Sequence, residues 1–489
     1  MGDILLTTIN AKWIHPSLAL RLLKANLDEL EERATILEFA LRQPLSEKID
    51  PILHAQPRIL GISVYIWNHL ATVELLTALR AAWAQSDGGG GPNSGWKPEG
   101  GVRPESGVRP LVVLGGPEAS HLGEDAVLIG LADVVVRGEG EVAFRDLCRS
   151  YLAGQDPMVN TMAANPMPTN PMATKAKRIS ADPPDVNILK RGYGQYTEED
   201  LSKKLCYVEA SRGCPFGCEF CLSALDRRVR FFPLKEFIAD MDDLIQRGAR
   251  SFKFLDRTFN LDIPRAIKIM EFFLSRARPS LYTHFEMVPS LFPQELRTSL
   301  EKFAPGSLRI EMGIQTFNIQ VARTIGRSSD PGNELEVLAF LRERTNAIVH
   351  ADLIAGLPGE TLASFGAGFD ALWSVRPTEI QLGMLKRLPG TPITRHDSSF
   401  GMRYSSEPPY EVIETAQMSA QELGRVRNFA RFWELIVNRG HFNDLLPGML
   451  SDPNMVFDRF MVIADSLYIT LGRNWGIPRD ELRSLLMQF

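Results

Sequence analysis

The sequence has few cysteines, no long apolar run and little net charge, and each absence excludes a class of protein. Five cysteines in 489 residues are too few for a disulfide-stabilised secreted scaffold. No run of about 18 apolar residues occurs, so the sequence predicts no membrane-spanning helix. A net charge of −5 and an isoelectric point near 6.0 give no electrostatic reason to expect nucleic acid or an anionic membrane as a partner.

The amino-terminal segment also lacks the pattern of a secretory leader. Asp3 and Lys12 flank only a short apolar strand, whereas a leader has a basic segment followed by a longer apolar core. The composition, with 44% hydrophobic and 23% charged residues, is ordinary for a globular protein. Because the chain is longer than one ordinary domain, we expect two or three domains. The lack of a leader pattern, of a membrane-spanning run and of a disulfide framework predicts a cytoplasmic protein.

What the sequence does contain is a cluster of three cysteines. Cys214, Cys218 and Cys221 have the spacing C-x₃-C-x₂-C. Thiolates are the usual ligands of iron–sulfur clusters, and three of them leave one iron of a cubane [4Fe–4S] cluster open for an outside ligand. A structural zinc site would need a fourth Cys or a His at short spacing, and none follows. The spacing therefore predicts a cluster with a functional open position.

This trio, with the aromatic Phe220 before its third cysteine, resembles the signature of the radical S-adenosylmethionine (radical SAM) superfamily. The resemblance implies that the open iron binds the amino and carboxylate groups of S-adenosylmethionine. It implies that an electron from the reduced cluster, supplied by a donor such as a flavodoxin or ferredoxin, cleaves this cofactor to a 5′-deoxyadenosyl radical. The alternatives are chance cysteine spacing and a structural or redox-sensing iron–sulfur protein.

Around the cysteines, residues 201–395 alternate six times between apolar strands and amphipathic helices, which predicts a partial (βα)₆ barrel of the TIM type. The predicted strands are Leu205–Ser211, Ser251–Thr258, Leu281–Val288, Leu308–Gln315, Ile348–Gly356 and Glu379–Leu385. The predicted helices include Pro233–Arg247, Pro264–Ala277 and Glu334–Thr345. Catalytic groups of barrels lie at the carboxyl ends of strands, and the cysteines directly follow the first strand.

Two of these strands carry polar residues that resemble radical SAM cofactor contacts. Asp256, at the end of the second strand, stands where the family often has Gly-Gly-Glu and would contact the methionine amino group; alternatively it caps the next helix. Glu311 and Gln315 on the fourth strand share one face and resemble the ribose and carboxylate contacts. Their alternative is a structural hydrogen-bond network.

The fifth strand ends in an element that resembles the family pattern Gly-x-Ile-x-Gly-x-x-Glu. Ile354 and Gly356 match it, with Ile354 near the adenine, whereas Asp352 replaces the first glycine and Glu360 is displaced by one residue. The same residues also form an ordinary turn before a helix.

Before the barrel, residues 1–155 predict a doubly wound, parallel, Rossmann-like sheet, because apolar strands again alternate with amphipathic helices. The predicted strands are Asp3–Asn10, Ala34–Ala40, Arg58–Trp67, Leu111–Gly116 and Asp133–Arg137, with helices at Ser17–Leu30 and Asn68–Ala84. The Gly- and Pro-rich stretch 86–110 predicts a flexible insertion, and the Asn-Pro-Met repeats within 156–200 predict a linker. Residues 396–489 predict a helical cap, with helices at Pro409–Val426 and Ala430–Asn438.

A doubly wound domain before a radical SAM barrel resembles a cobalamin-binding domain. Glycines follow three successive predicted strands, where small residues let a flat ligand approach the backbone. The resemblance assigns seven residues to cobalamin: Ser63, Val64, Gly115, Gly116, Gly138, Glu139 and Gly140. Many such domains have Asp-x-His-x-x-Gly after the first strand, but His15 lacks both the Asp and the Gly. We therefore expect Ser17 to cap a helix beside it and cobalamin to have no His ligand; a sheet without the cofactor is the alternative.

Together the resemblances imply a cobalamin-dependent radical SAM enzyme, with methylation of an unactivated carbon as the leading reaction. The alternative is a radical rearrangement, oxidation or cyclisation without methyl transfer. Since the charge balance argues against RNA and a carbon radical must be kept from water, we expect a small or lipid-like metabolite as substrate and no nucleic-acid partner. A peptide is the alternative substrate. Arg227, Arg228 and Arg230 either hold an acidic substrate group or form a solvated turn.

Overall fold

The computed structural model describes residues 2–86, 109–155, 176–452 and 455–489. These residues form two compact units, one of 1–208 with 235–250 and the other of 209–234 with 251–489. Nearly all of the predicted insertion at 86–110, and the predicted linker up to residue 175, lie outside the described residues. Within the described ranges, no helix combines the length and the apolar character needed to cross a membrane.

The first unit contains a six-stranded sheet and helices on both of its faces. Its strands are β1 (Ile4–Asn10), β2 (Ala34–Ala40), β3 (Ile59–Ser63), β4 (Leu111–Gly115), β5 (Val134–Arg137) and β6 (Lys177–Ser180), and β7 (Cys206–Val208) follows. Its helices are α1 (Leu18–Ala25), α2 (Leu45–Ala55), α3 (His69–Ser86), α4 (Pro117–His121), α5 (Val127–Gly130), α6 (Glu141–Leu152) and α7 (Glu198–Lys203), with 3₁₀ turns at Asp28–Arg33 and Tyr193–Gln195.

The sheet is parallel, with the strand order β2-β1-β3-β4-β5-β6. Its two faces form separate apolar cores, as expected for strands buried on both sides. One core includes Ile52 of α2 and Leu76 of α3. The other includes Leu20 of α1 and Phe144 of α6. The doubly wound prediction is confirmed, and the reversal of order between β1 and β3 creates a topological switch point, where such sheets bind ligands.

Several local expectations in this unit need correction. The helix predicted at Ser17–Leu30 ends at Ala25 and is followed by a 3₁₀ turn, although the Ser17 hydroxyl does cap it by accepting from the Leu20 amide at 3.3 Å. The sequence analysis missed α2 and β6. Residues 177–180 form a strand where a linker was predicted, because this short, charged edge strand has only one apolar residue and hence no periodic signal.

The second unit contains the remaining elements. Its strands are β8 (Ser211–Arg212), β9 (Arg230–Phe231), β10 (Ser251–Phe254), β11 (Tyr282–Glu286), β12 (Leu308–Gln315), β13 (Ile348–Ala355), β14 (Glu379–Met384), β15 (Arg403–Tyr404) and β16 (Val412–Glu414). The helices from residue 234 onward are α8 (Leu234–Gln246), α9 (Ile263–Ser275), α10 (Gln294–Leu300), α11 (Ile319–Thr324), α12 (Pro331–Arg344), α13 (Leu362–Ser374), α14 (Ala420–Trp433), α15 (Leu446–Met449), α16 (Val456–Leu471) and α17 (Arg479–Leu486), with α8 counted mostly in the first unit. Shorter helical turns lie at Leu222–Leu225, Phe259–Leu261, Pro392–His396 and, as a π-helix, Glu434–Asn438.

The barrel sheet has the strand order β14-β13-β12-β11-β10-β7, and β10 to β14 pair in parallel. This order confirms the predicted six-stranded partial barrel. Along β12, fully buried residues alternate with partly exposed ones, so Glu311, Gly313 and Gln315 share one face, as strand geometry requires. The same face continues through strand register onto the neighbouring strands.

The carboxyl-terminal helices pack at the side of the barrel. Phe369 of α13 stacks edge-on against Phe429 and Trp433 of α14. Asn438 bonds both backbone groups of Ile380, at 3.0 and 3.2 Å, and so satisfies the free edge of β14. The helix predicted at Pro409–Val426 is wrong in its first half: β16 pairs there with β15, and α14 begins only after the Ser419 capping box.

Candidate active site

The three predicted cluster cysteines lie on one closed loop at the start of the second unit. Ser211 and Arg212 of β8 pair antiparallel with Phe231 and Arg230 of β9, which closes the loop 213–229. Gly213 has φ +93°, and a Cβ there would lie 2.0 Å from the Arg228 carbonyl oxygen. Only glycine fits this position, so the close approach of the two loop ends depends on Gly213.

Glu219, between the second cysteine and Phe220, anchors this loop to two distant segments. Its side chain is 4% exposed, accepts from His396 Nε2 at 2.7 Å and pairs with Arg395. Its amide donates to the Ile325 carbonyl, and its own carbonyl accepts from the Ile393 amide, both at 3.0 Å. The loop is therefore held through side chain and backbone at the residue that follows Cys218.

The cysteines of this loop differ from the other two in the chain. Cys148 and Cys206 are fully buried, and burial raises the pKa of each thiol, whereas the loop cysteines are half-buried. Burial also raises the pKa of Cys218, but hydrogen-bonding and positive charge from Arg327 oppose that shift. The accessible trio is therefore the set available for metal chemistry.

The three loop cysteines lie near one another without converging on a single point. Cys214 and Cys221 both act electrostatically on Cys218, so the three lie near one another. Yet among the described residues no group of three His, Cys, Asp or Glu side chains converges on one ion position. A cubane cluster requires no such convergence, because each cysteine binds a different iron.

Asp256 supports the segment that leads into the loop. The carboxylate accepts from the Ala210 amide at 2.9 Å and from the Ser211 hydroxyl at 2.6 Å. Burial raises its pKa to about 6, and these two hydrogen bonds oppose the shift. Asp262, instead, caps the following helix α9, so the capping alternative for Asp256 is wrong. Its predicted contact with a methionine amino group stays a prediction, alongside this supporting role.

Glu311 faces the barrel interior within a charged network. It pairs with His284 at 3.0 Å and with Lys253 at 3.3 Å. Burial alone would raise its pKa, but the His284 hydrogen bond and the Lys253 charge lower it to about 2. The predicted network therefore exists, and its carboxylate is ionised at neutral pH. Gln315, on the same face, has φ +71° at a register shift in β12, a strained conformation of the kind found at binding sites.

The remaining predicted cofactor residues lie at the carboxyl end of β13 or in the loop. Ile354 and Phe220 are half-buried, and Ile354 is on the inward face. Gly356 has φ +82°, and a Cβ there would lie 2.6 Å from Val412. Packing against the β16 segment therefore requires glycine at position 356, independently of any ligand contact.

In the first unit, the predicted cobalamin residues lie at the carboxyl ends of β3, β4 and β5. Val64 and Gly115 join two strand ends through a 2.8 Å backbone hydrogen bond. Gly116 has φ +92°, and a Cβ would lie 2.6 Å from the Val64 carbonyl oxygen, so the turn itself demands glycine. Ser63 is buried; Gly138, Glu139 and Gly140 line the β5 loop, with Gly140 preceding α6. The glycine at position 116 thus has a structural reason, and its ligand role stays a prediction.

An exposed apolar surface flanks these strand ends on both sides of the switch point. Trp13 and Ile14, after β1, are 50% and 40% exposed, and Trp67, after β3, is 47% exposed. Trp67 stacks on Tyr65 with ring centroids 4.3 Å apart. His15 Nδ1 is 2.8 Å from the Tyr207 hydroxyl, so that ring nitrogen is engaged within the protein. Flat apolar surface at a ligand-binding edge is typical of a site for a large planar ligand.

Comparison with known proteins agrees with the barrel geometry. Residues 208–370 match the family model of the Radical SAM superfamily. The barrel is a radical SAM domain. Residues 398–476, which follow this domain, match a second family model, described as a protein of unknown function (DUF4080).

Two curated relatives of this chain are methyltransferases. The cobalamin-dependent radical SAM methyltransferase TokK of Streptomyces tokunonensis is 22% identical over 413 residues, which cover 78% of this chain and 55% of TokK. The 2-(S-pantetheinyl)-carbapenam-3-carboxylate methyltransferase of Streptantibioticus cattleyicolor is 22% identical over 74% of this chain and 53% of that protein. The chain thus spans about half of the length of these relatives.

The likeness in fold extends beyond the radical SAM domain. The structure of the radical S-adenosylmethionine methyltransferase TsrM from Kitasatospora setae, with cobalamin and a [4Fe–4S] cluster bound, matches with a TM-score of 0.64. The match covers 96% of this chain and 100% of TsrM at 17% identity. The arrangement of a parallel-sheet domain before a radical SAM barrel is therefore shared with a solved structure.

Sequence reasoning missed two buried histidine–carboxylate contacts near the predicted sites. One joins Glu219 to His396 in the second unit; the other joins His69 Nδ1 to Glu118 Oε1 at 2.7 Å in the first unit. Glu118 directly follows Gly-Gly-Pro, and Glu219 interrupts the cysteine motif, so each acid was visible as a charge beside a motif. Arg228, in contrast, is 72% exposed and pairs with Asp226, which fits the solvated-turn interpretation.

Proposed function

We propose that this protein is a cobalamin-dependent radical SAM enzyme that uses a [4Fe–4S] cluster on Cys214, Cys218 and Cys221 and methylates an unactivated carbon of a small or lipid-like metabolite. The observation that carries the proposal is the closed loop 213–229, which presents three half-buried cysteines directly after the first barrel strand. Catalytic groups of barrels lie at this end of the strands. The match to the Radical SAM superfamily and the TokK and TsrM likenesses support it.

The residues around the loop fit such a cluster. When bound and reduced, the cluster supplies the electron that cleaves S-adenosylmethionine. The protein's own residues position the loop. Gly213 allows the close approach of the loop ends, Asp256 accepts hydrogen bonds from the segment that enters the loop, and Glu219 anchors the middle of the loop to His396. Arg327 favours the thiolate form of Cys218 by hydrogen-bonding and charge.

For S-adenosylmethionine, we assign the inward face of β12 and β13. Glu311 is ionised and accepts hydrogen bonds, as a contact to ribose hydroxyls or an ammonium requires. Ile354 offers a half-buried apolar surface beside it for the adenine. Phe220 and Gln315 complete the set, the latter held in its strained conformation by the β12 bulge.

For cobalamin, we assign the carboxyl edge of the first sheet at the β1–β3 switch point. When bound, cobalamin supplies a carrier for a methyl group. Trp67 and Tyr65 provide a stacked aromatic surface at this edge. Gly115, Gly138 and Gly140 have no side chains, so a flat ligand can approach the backbone at the neighbouring strand ends. Since His15 lacks the expected motif and bonds Tyr207, we assign no His ligand to the cobalt.

The proposal is tested by anaerobic reconstitution of wild type and of a Cys214, Cys218, Cys221 triple alanine variant. Wild type should bind iron and sulfide, form 5′-deoxyadenosine with a chemical reductant or a flavodoxin, and show corrin absorption when produced with ample cobalamin. The triple variant should lose the cluster and the 5′-deoxyadenosine but retain corrin absorption. Equal iron and sulfide content in both proteins would contradict the cluster assignment.

A second measurement separates methyl transfer from the other radical reactions. Metabolite extract is incubated with enzyme, reductant and methyl-labelled S-adenosylmethionine. We expect label in a small molecule. Formation of 5′-deoxyadenosine without label transfer would support rearrangement, oxidation or cyclisation instead, and label only in protein or RNA would overturn the metabolite assignment.

A further inference from the structure

The inward face of the barrel carries acidic residues on three adjacent strands. Glu286, at the end of β11, is the register partner of Glu311 on β12. Asp352, on β13, is the register partner of Gly313 on β12 and of Gln381 on β14. Because register partners point to the same face of a sheet, all three carboxylates face the barrel interior.

Asp352 is the member of this group whose hydrogen-bonding capacity the protein leaves unused. Its Oδ1 atom is buried and lacks a partner among the residues that the structure describes. Glu311 is paired with His284 and Lys253. A buried polar atom without a partner costs free energy unless a ligand or water satisfies it.

The charge around Asp352 is also negative. Burial, and next the charges of Glu311 and Glu286, raise its pKa to about 8, and only Lys253 opposes them. Burial likewise raises the pKa of Glu286, and the charges of Arg257, 3.6 Å away, and of Lys253 oppose that shift. This face therefore holds more acid than nearby cations compensate, and a bound cation would stabilise it.

There is room beside Asp352 for such a group. The room does not lie at its β12 neighbour Gly313, because the Gln315 amide already occupies the place of a Cβ there. On β14, a Cβ at Gly383 would meet only the Leu353 carbonyl oxygen, at 3.8 Å. Gln381, the β14 partner of Asp352, is exposed, so a ligand can reach this part of the face.

We propose that Asp352, together with Glu286, binds a protonated amine inside the barrel, and that this amine belongs to the substrate. An ammonium supplies the hydrogen-bond donors that Asp352 lacks and the positive charge that the face lacks. The inference rests on the proposed function, in which the substrate enters the barrel. It narrows the substrate to an amine-bearing metabolite. The other source of the same chemistry is the α-ammonium of S-adenosylmethionine itself.

Binding without turnover separates the two sources. Wild type, Asp352→Asn, Glu286→Gln and the exposed-surface control Glu295→Gln are titrated calorimetrically with hexylammonium chloride and, separately, with S-adenosylmethionine; circular dichroism checks that each is folded. We expect Asp352→Asn to bind hexylammonium at least about 10-fold more weakly, Glu286→Gln to be affected less, and S-adenosylmethionine affinity to stay within about twofold. Equal hexylammonium affinity in all four proteins would overturn the amine site. Loss of S-adenosylmethionine affinity alone would overturn the substrate assignment.

Turnover gives an independent check on the substrate. Metabolite extract is divided, and the amines of one half are acetylated with acetic anhydride before incubation with enzyme and methyl-labelled S-adenosylmethionine. We expect labelled product from the untreated half only. Label from both halves would overturn the amine inference while leaving methyl transfer intact. Label from neither half would count against the proposed methyl transfer, and the hexylammonium titration, which needs no turnover, would still decide the role of Asp352.

Discussion

Replacing Glu219 with alanine should release the cysteine loop from the two barrel segments that hold it. The carboxylate accepts from His396 at 2.7 Å and pairs with Arg395, and it is almost fully buried. The backbone of the same residue bonds Ile325 and Ile393, each at 3.0 Å. Truncation removes the side-chain contacts and leaves the two backbone bonds without the support that keeps them closed.

The size of the effect depends mainly on the His396 contact. Arg395 is 63% exposed, and an exposed ion pair contributes only about 0–1 kcal/mol. Burial, and next the charge of Arg395, lower the pKa of His396, so a neutral imidazole N–H donates to a buried carboxylate. Such a bond contributes about 1.5–3 kcal/mol. Local opening should therefore become roughly 10- to 150-fold more frequent.

Hydrogen exchange measured by mass spectrometry on the cluster-free protein reports this opening directly. The informative amides are those of Glu219 and Ile393, which donate across the anchored contacts. Glu219→Gln keeps an acceptor for His396 and should accelerate exchange less than the alanine variant does. Glu336→Gln, at an exposed pair with Arg297, is the matched control and should change nothing. Wild-type protection at both amides in Glu219→Ala would refute the anchoring argument.

Three further predictions concern backbone fit, pH dependence and the first unit. Gly326 has φ +69°, and a Cβ there would lie 2.6 Å from the Gly217 carbonyl oxygen; Gly326→Ala should therefore displace the cysteine loop and reduce iron and sulfide content severalfold, whereas Gly130→Ala, with open space around it, should not. The pKa of Asp256 is raised to about 6, so the folded protein favours the protonated form of this side chain. Protonated Asp256 therefore stabilises the fold, fully below the ordinary carboxyl pKa, and the free energy of unfolding falls by about 3 kcal/mol as the pH rises to about 6. Thermal denaturation between about pH 4 and pH 7 should show that decline in wild type and a smaller one in Asp256→Asn; identical profiles would contradict it. Trp67→Ala should shift the corrin absorption and weaken cobalamin retention about 10-fold if the ring covers the macrocycle. Trp475→Ala, which removes a more exposed tryptophan far away in the sequence, should leave both unchanged.

Much of this architecture was accessible from local pattern. Ala34–Ala40 and Leu308–Gln315 were predicted with the observed bounds, because an apolar run or a strict alternation between charged or polar and apolar residues specifies a strand and its faces. The cysteine spacing and the Ser17 cap are also local, since each acts within a few residues of itself. Local errors arose where a signal was mixed, as at Pro409–Val426, whose apolar spacing suited a helix but whose first half pairs with another strand.

The partners of the buried charges were decided only by the tertiary structure. Glu219 meets His396 across 177 residues, and Asp256 meets Ala210 across 46. Asp352 is visible in sequence as a departure from a glycine, but its unused oxygen and acidic neighbours follow from strand register. The sequence alone determined the periodicities, the turns and the cysteine spacing, since these depend on neighbouring residues. Which charge meets which depends on how strands far apart in the chain align, and one residue of slip would turn each side chain to the other face.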